Sequence, residues 1–492
     1  MEDVLTQTID YARERCEALF SEIDKLEQKD YPTKQSQKIL FRFIKGANEQ
    51  IRLKLDEIEK DTEIRQTLKP EELEQRVKRY CKFLPYLCNL LEYIEGSEIE
   101  NTPAPLINPL RRLTRSCLPD SEVIFRSYSQ LNYSYAPLTR LLREVFSDDT
   151  FSNLVQRLPN FFAVISFPKV EANYVLLHCM VAHEIGHGLY QEKNLEDDLI
   201  PLVKIDETTL DRLAKEIVES ESNRQDVSGK DPLAEADVSE SLRVKGLLTQ
   251  GITKIIGNWV EELTADAFGV CIFGPSYFFA FINFVSAIRL LQSASFTHPS
   301  PRIRMNLMSH ILNLLKPQEK DESVKSQQKH DRDTLGFENV FQGPTKRFVQ
   351  KWVEVSSMQG RALYPIYDIV EKSITPIIPG ICSKVMETMN GSEYTAQKYL
   401  EKTPTLRDLI VNIIPPNEVI DFKKKETTNT DVVSILNAGW EVYISHMDDF
   451  AKNYQELTYQ SNKLKCDKKL NELLLKAIEL NEIKTRWDEI GK

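Results

Sequence analysis

From Ala267 to Ile288 the chain reads AFGVCIFGPSYFFAFINFVSAI, with no charged side chain. A run of that length suffices to cross a bilayer as one helix. Three features argue instead for burial within a protein core. Gly274-Pro275 interrupts the run near its middle, Asn283 and Ser286 dot its second half, and it continues directly from the charged segment ending at Asp266. Proline removes a backbone donor and glycine frees the turn, so such a pair ends one element and begins another. The expectation is two buried segments meeting at a Gly-Pro turn, with no membrane span.

Upstream, His183-Glu184-Ile185-Gly186-His187 has the HExxH spacing. On an α-helix, residues four apart share a face, so both imidazoles can point at one metal ion. Glu184 then stands where a general base for metal-activated water belongs. The chain has only seven histidines in 492 residues, so a chance match is uncommon. His178, five residues before His183, points off the ligand face and reads as a core or interface histidine; His310, His330 and His446 have no companion at ligand spacing.

A zinc site of the catalytic kind needs a third protein ligand and an open position. Glu262 and Asp266 lie four apart on one helical face of WVEELTAD. Glu262 fits the ligand, and Asp266, one turn on, fits the acceptor for a ligating histidine's outer N–H. Glu261 competes as ligand, but its companion four residues later is Ala265. A solvated acidic face is the plainer alternative, yet Trp259, Leu263, Ala267 and Phe268 make these surroundings apolar.

These segments resemble the HtpX and CAAX-prenyl-protease type of gluzincin metallopeptidases. That group has HExxH, then ExxxD on a later helix, then HPxxxxR; here they are HEIGH, Glu262 to Asp266, and His298-Pro299-Ser300-Pro301-Arg302-Ile303-Arg304. The resemblance covers roughly residues 120–315. It implies a zincin-like metallopeptidase core binding one zinc ion (Zn2+) through His183, His187 and Glu262, with Glu184 as base. It implies further that His298 stabilises an oxyanion and Arg304 supports the site by ion pairing. His298 also reads as an ordinary residue at a helix start, and Arg304 as a surface arginine. The chain departs from the group's best-known members in having no evident membrane spans and in the 75 positions separating His187 from Glu262.

Around this core the pattern is mainly α (α+β). Residues 1–100 read as an N-terminal helical bundle or arm, with apolar positions three and four apart from Leu5 to Ile94 and breaks at Tyr31-Pro32 and Lys69-Pro70. Residues 101–315 form the metallopeptidase core with a small sheet. SEVIFRSYSQLNYSYAP alternates imperfectly, NFFAVISFP (residues 160–168) is the best strand, and the HEIGH helix is expected from Val170 to Tyr190. An acidic insertion around 192–238 is expected to be partly loop, followed by a long helix from Ser239 to Phe273. Residues 316–339 form a polar linker, and 340–492 a C-terminal helical domain with a long charged helix from about 448.

Composition narrows the function classes. A net charge of −11 argues against a general nucleic-acid or anionic-membrane binder. The eight cysteines form no CxxC pair, which suits a reducing, cytoplasmic setting better than a disulfide framework. The N-terminal segment has no positive region followed by an apolar run, so it does not read as a signal peptide. No GxxxxGK[ST], GxGxxG or GxSxG pattern supports nucleotide binding or a serine hydrolase.

The expected function is zinc-dependent hydrolysis of a protein or peptide. A strand is expected to line the cleft and pair with extended substrate, the one around 160–167 being a candidate while the choice of strand stays open, and the flanking helices to hold substrate or a regulatory protein partner. The alternatives are a catalytically inactive gluzincin-fold scaffold that binds proteins through its helical regions, and a metal-dependent hydrolase of a non-peptide substrate.

Overall fold

A computed structural model describes residues 2–60, 69–225, 234–288, 294–315, 337–357, 365–421, 426–454 and 458–490. The chain is mainly helical with a small three-stranded sheet and a two-stranded hairpin. Packing groups it into two compact units, residues 1–175 with 475–492, and residues 176–474. This grouping follows contacts rather than the composition shifts that set the sequence boundaries.

In the first unit, helices span Glu2–Glu27, Lys34–Lys60, Pro70–Cys81, Phe83–Glu95 and Ala104–Cys117. Their apolar stripes supply the core: Ile9, Ala12, Cys16, Leu19 and Ile23 on the first, Leu40, Ile44, Ile51 and Leu55 on the second. Pro70 occupies the first turn of its helix, and Glu72 reaches back to the Lys69 amide. The run expected as one segment from Val77 to Ile94 breaks at Lys82. Phe43, Phe83, Phe146 and Phe151 meet edge-on or stacked at the centre.

The strands are β1 (Glu122–Tyr128), β2 (Ser134–Ala136) and β3 (Phe162–Pro168). β3 is central, parallel to β1 and antiparallel to β2. Every β3 residue is buried, which explains a sequence that is apolar except at Ser166. A central strand has both edges taken, so β3 has no open edge for an extended peptide, while among the described residues β1 and β2 each have a free side in the sheet.

In the second unit, the HEIGH helix spans Val181–Glu192, eleven residues later than the expected start at Val170. The residues before it form 3-10 turns at Lys169–Glu171 and Val175–Met180, whose threefold repeat does not sustain an α-helical face. The insertion is largely helical, with Leu195–Leu199, Glu207–Gln225 and the start of a long helix, Ala234–Phe273; residues 226–233 lie outside the described residues. The same holds for linker residues 316–336, while Phe337 at its far end is fully buried in a short helix. The charged C-terminal helix starts at Lys463, after a separate helix Met447–Asn453.

The uncharged run behaves as the sequence suggests. The long helix ends at Phe273, Gly274 takes a left-handed φ of 61°, and a second buried helix runs Pro275–Ile288. The break exposes backbone groups that buried side chains satisfy, with the Ser276 hydroxyl donating to Phe273 O at 2.8 Å. Asn437 Nδ2 donates to Phe273 O at 2.9 Å, and its Oδ1 accepts from Ser276 N at 3.0 Å. Among the described residues no helix is long and apolar enough to cross a membrane, and all eight cysteines are free thiols.

Candidate metal centre

The site begins with a close approach of two helices. An ideal Cβ on Gly186 would stand 2.7 Å from Ala265 Cα and 2.8 Å from Ala265 O. Only a glycine inside HEIGH lets the long helix come this near. Contact at Ala265 brings the residues that flank it, Glu262 and Asp266, under His183 and His187. A second glycine acts similarly: a Cβ on Gly269 would stand 2.7 Å from Tyr277 Cζ, so the Tyr277 ring lies against the long helix one turn beyond Asp266.

Three ligand-type atoms converge. His183 Nε2 and His187 Nε2 are 3.2 Å apart. Glu262 Oε2 is 3.3 Å from His183 Nε2, and Glu262 Oε1 is 3.4 Å from His187 Nε2. Bonds of about 2.0–2.1 Å in tetrahedral geometry put neighbouring ligand atoms about 3.3 Å apart. His183, His187 and Glu262 therefore form a group able to hold one metal ion.

The outer ring nitrogens are fixed by carboxylates. His183 Nδ1 stands 3.0 Å from Asp266 Oδ1, and His187 Nδ1 stands 3.0 Å from Glu261 Oε1. In the neutral form that binds a metal, each Nδ1–H donates outward and both Nε2 atoms face inward as acceptors. Glu262 Oε2 is buried and, among the described residues, accepts no hydrogen bond, with Arg304 Nη2 3.7 Å away. Three inward acceptors in a buried place call for a cation, and the N, N, O donor set suits a borderline transition metal such as zinc.

Asp266 is itself held on both oxygens. Arg304 Nε donates to Oδ2 at 2.6 Å and Arg304 Nη2 to Oδ1 at 2.7 Å, while the Tyr277 hydroxyl donates to Oδ1 at 2.5 Å. The Arg304 guanidinium packs 4.7 Å from the centre of the Phe281 ring. Tyr277 and Phe281 come from the second half of the uncharged run, so that run supplies the site's wall as well as the core. Arg304, its side chain only 11% exposed, is a partner of Asp266 rather than a surface residue.

Charge balance explains the protonation tendencies. Burial alone would raise the Asp266 carboxyl, but the charge and hydrogen bonds of Arg304 hold it down at about 2. Burial opposes a charge on His187, yet its bonds to Glu261 and Glu262 push it up to about 10 in the protein alone. His183 is raised in the same way, against burial, by Glu262 and Asp266. Burial raises the Glu184 carboxyl, the direction that suits a group exchanging protons near neutrality.

His298 lies on the open side. Its ring is about half exposed, with Nε2 3.6 Å from Glu262 Oε1. Thr297 Oγ1 stands 2.8 Å from its Nδ1, and its backbone N–H donates to Ser295 Oγ. This loop is tied to the long helix by Trp259 Nε1 donating to Ser295 O at 2.9 Å and Asn258 Nδ2 to Phe296 O at 3.1 Å. His178, by contrast, is buried in the 3-10 stretch before the HEIGH helix.

Every residue singled out in the sequence thus falls within one cluster: His183, Glu184, His187, Glu262, Asp266, His298 and Arg304. Sequence reasoning missed two contributors. Glu261 was weighed as a rival ligand, and it instead holds His187; Tyr277 looked like ordinary core. The Glu261–Glu262 pair carried a usable signal, since adjacent helical residues differ by about 100° and can serve ligands on neighbouring faces. No family model, no curated protein and no solved structure matches the chain, so the resemblance to gluzincins rests on its three short motifs.

Proposed function

We propose that the chain is a zinc-dependent metallopeptidase with a zincin-like core of the gluzincin type, cleaving peptide bonds in a protein or peptide. The observation that carries this reading is the ring of three inward acceptors at 3.2–3.4 Å, with Glu184 buried on the same helix. A zinc ion held by that ring supplies Lewis acidity, lowering the pKa of water and polarising a carbonyl. The remaining work belongs to side chains. Glu184, its carboxyl raised by burial, takes a proton from the attacking water and returns it to the leaving amine. His298, half exposed beside Glu262, donates a hydrogen bond to the oxygen that gains charge. Asp266 and Glu261 hold the two rings in the tautomer that presents Nε2, and Arg304 balances Asp266.

A cleft of about 550 Å3 begins at Glu261 and is lined also by Tyr190, Thr253, Lys254 and Asn258, giving room for a substrate side chain beside the site. The test is Glu184→Gln. Metal content measured by atomic absorption should stay at one zinc per chain, while cleavage of a denatured-protein or peptide-library substrate falls by roughly 100-fold or more. A wild-type chain that folds but takes up no stoichiometric metal defeats the proposal. Unchanged cleavage by Glu184→Gln defeats the role of the base, and metal uptake without any cleavage favours a scaffold.

A further inference from the structure

A second cleft, also about 550 Å3, lies in the first unit and is lined by the end of the first helix, the end of the Phe83–Glu95 helix, and β1. Its notable member is Arg126, which is only 7% exposed. A buried guanidinium normally faces a carboxylate. Among the described residues, Arg126 has none within ion-pair distance. Its Nε donates to Ser166 Oγ at 3.0 Å, the residue opposite it in the β1–β3 register, and Nη1 donates to the helix-end carbonyl of Glu92 at 3.2 Å. Tyr93 and Tyr128 rings lie 4.4 and 4.6 Å from its centre. Two of its five N–H donors are thereby used, and among the described residues Nη2 has no hydrogen-bond partner.

The approach that seats Arg126 is built in. A Cβ on Gly96 would stand 2.7 Å from Ser127 O and 3.2 Å from Arg126 Cβ, so glycine is what lets the helix end close over β1. The same cleft also gathers carboxylates. Glu22, Glu92, Glu95 and Glu98 line it, and burial together with these like charges raises the Glu95 carboxyl. Glu22 and Glu98 have lysine partners, Lys25 at 2.8 Å and Lys29 at 3.6 Å. Among the described residues Glu92 and Glu95, both exposed, have no such pairing. One cleft therefore holds a largely buried guanidinium with an open edge and, close by but outside ion-pair distance, the exposed carboxylates of Glu92 and Glu95, of which Glu92 acts on Arg126 through its charge.

We infer that this cleft is a binding site for a small zwitterion, whose carboxylate takes the free edge of Arg126 while its ammonium or guanidinium lies among Glu92 and Glu95. A guanidinium fork matches a carboxylate in shape and charge, whereas a phosphate dianion meets the adjacent carboxylates. The inference stands apart from the metal reading and neither needs the other.

Calorimetric titration of the full chain tests it, using L-arginine as the zwitterion, acetate and inorganic phosphate as anions alone, and butylamine as the cation alone. L-Arginine should bind one per chain, at least tenfold tighter than any of the three. Glu95→Gln, at an exposed position, should weaken L-arginine about fivefold or more, and Arg126→Lys at least tenfold. Since a buried arginine variant can fail to fold, Ser129→Trp at the exposed rim serves as a second block and should abolish binding. Absence of binding by L-arginine, or phosphate or acetate binding as tightly, overturns the assignment.

Discussion

Gly186→Ala tests the step on which the metal centre depends. Gly186 lies in a helix with ordinary negative φ, so alanine is conformationally acceptable and the effect is steric. In isolation the change favours a helix by about 1 kcal/mol. Against that, the new methyl meets Ala265 Cα at 2.7 Å and Ala265 O at 2.8 Å, both backbone atoms of another helix that cannot rotate away. Reaching ordinary contact near 3.4 Å requires about 0.7 Å of separation. Overpacking of this kind costs about 1–3 kcal/mol, so the net loss of stability in excess chelator should be about 0–2 kcal/mol. Metal binding should suffer more, because ligand distances tolerate only about 0.2 Å of error, and Glu262 rides on the helix that is pushed away. We expect about 100-fold weaker zinc binding, equivalent to about 2.7 kcal/mol, read by competition with a chromophoric chelator. Gly251→Ala on the same long helix is the control. Nothing lies within 4 Å of its Cβ position, so it should gain about 0.5–1 kcal/mol and leave metal affinity unchanged. Wild-type zinc affinity in Gly186→Ala would refute the idea that this contact sets the ligand geometry.

Three further outcomes follow from the same geometry. Glu261→Ala should lower metal affinity about 10–100-fold while Glu262→Ala abolishes stoichiometric binding; the reverse order would make Glu261 the ligand. Tyr277→Phe removes the hydroxyl that donates to Asp266 at 2.5 Å and should cost about 1.5–3 kcal/mol in a urea melt, with no loss meaning that Arg304 alone holds Asp266. In the first unit, burial alone would raise Glu122, but hydrogen bonds from Ser36 and Arg111 and the charges of Arg111 and Arg115 hold it below the usual carboxylate range. A lowered folded pKa contributes stability that is present above the unfolded value of about 4.3 and lost as pH falls below it; Glu122→Gln should therefore flatten the acid limb of stability against pH, and an unchanged slope would show that other carboxylates control it.

What the sequence made legible follows from periodicity, and what it hid follows from rotation and distance. His183 and His187 share a face by spacing alone, as do Glu262 and Asp266, so each pair was readable before any fold was known. The break at Gly274-Pro275 was readable too, because only a turn suits that dipeptide within an apolar run. How the long helix is rotated about its axis was not readable. Glu261 and Glu262 are adjacent, and which of them faces between the histidines is decided by contact of Ala265 with Gly186, far away in sequence. The strand at 162–168 was recognised from composition, but its central place between β1 and β2 depends on pairings that single-strand patterns do not encode.

Tyr277 and Asn437 show the same limit from the side of chemistry. Tyr277 sits in a run where every neighbour is core, and one polar atom on a large ring does not alter that pattern. Its hydroxyl matters because the left-handed turn at Gly274 folds it back against Gly269, within reach of Asp266. Asn437, 163 positions after Gly274, supplies the hydrogen bonds that the broken helix lacks. The uncharged run can thus break without exposing its backbone, and its second half is free to carry Tyr277 and Phe281 to the metal centre. The feature that resembled a membrane span is what holds Asp266 and Arg304 in place, and a continuous helix there would carry both aromatic rings away from them.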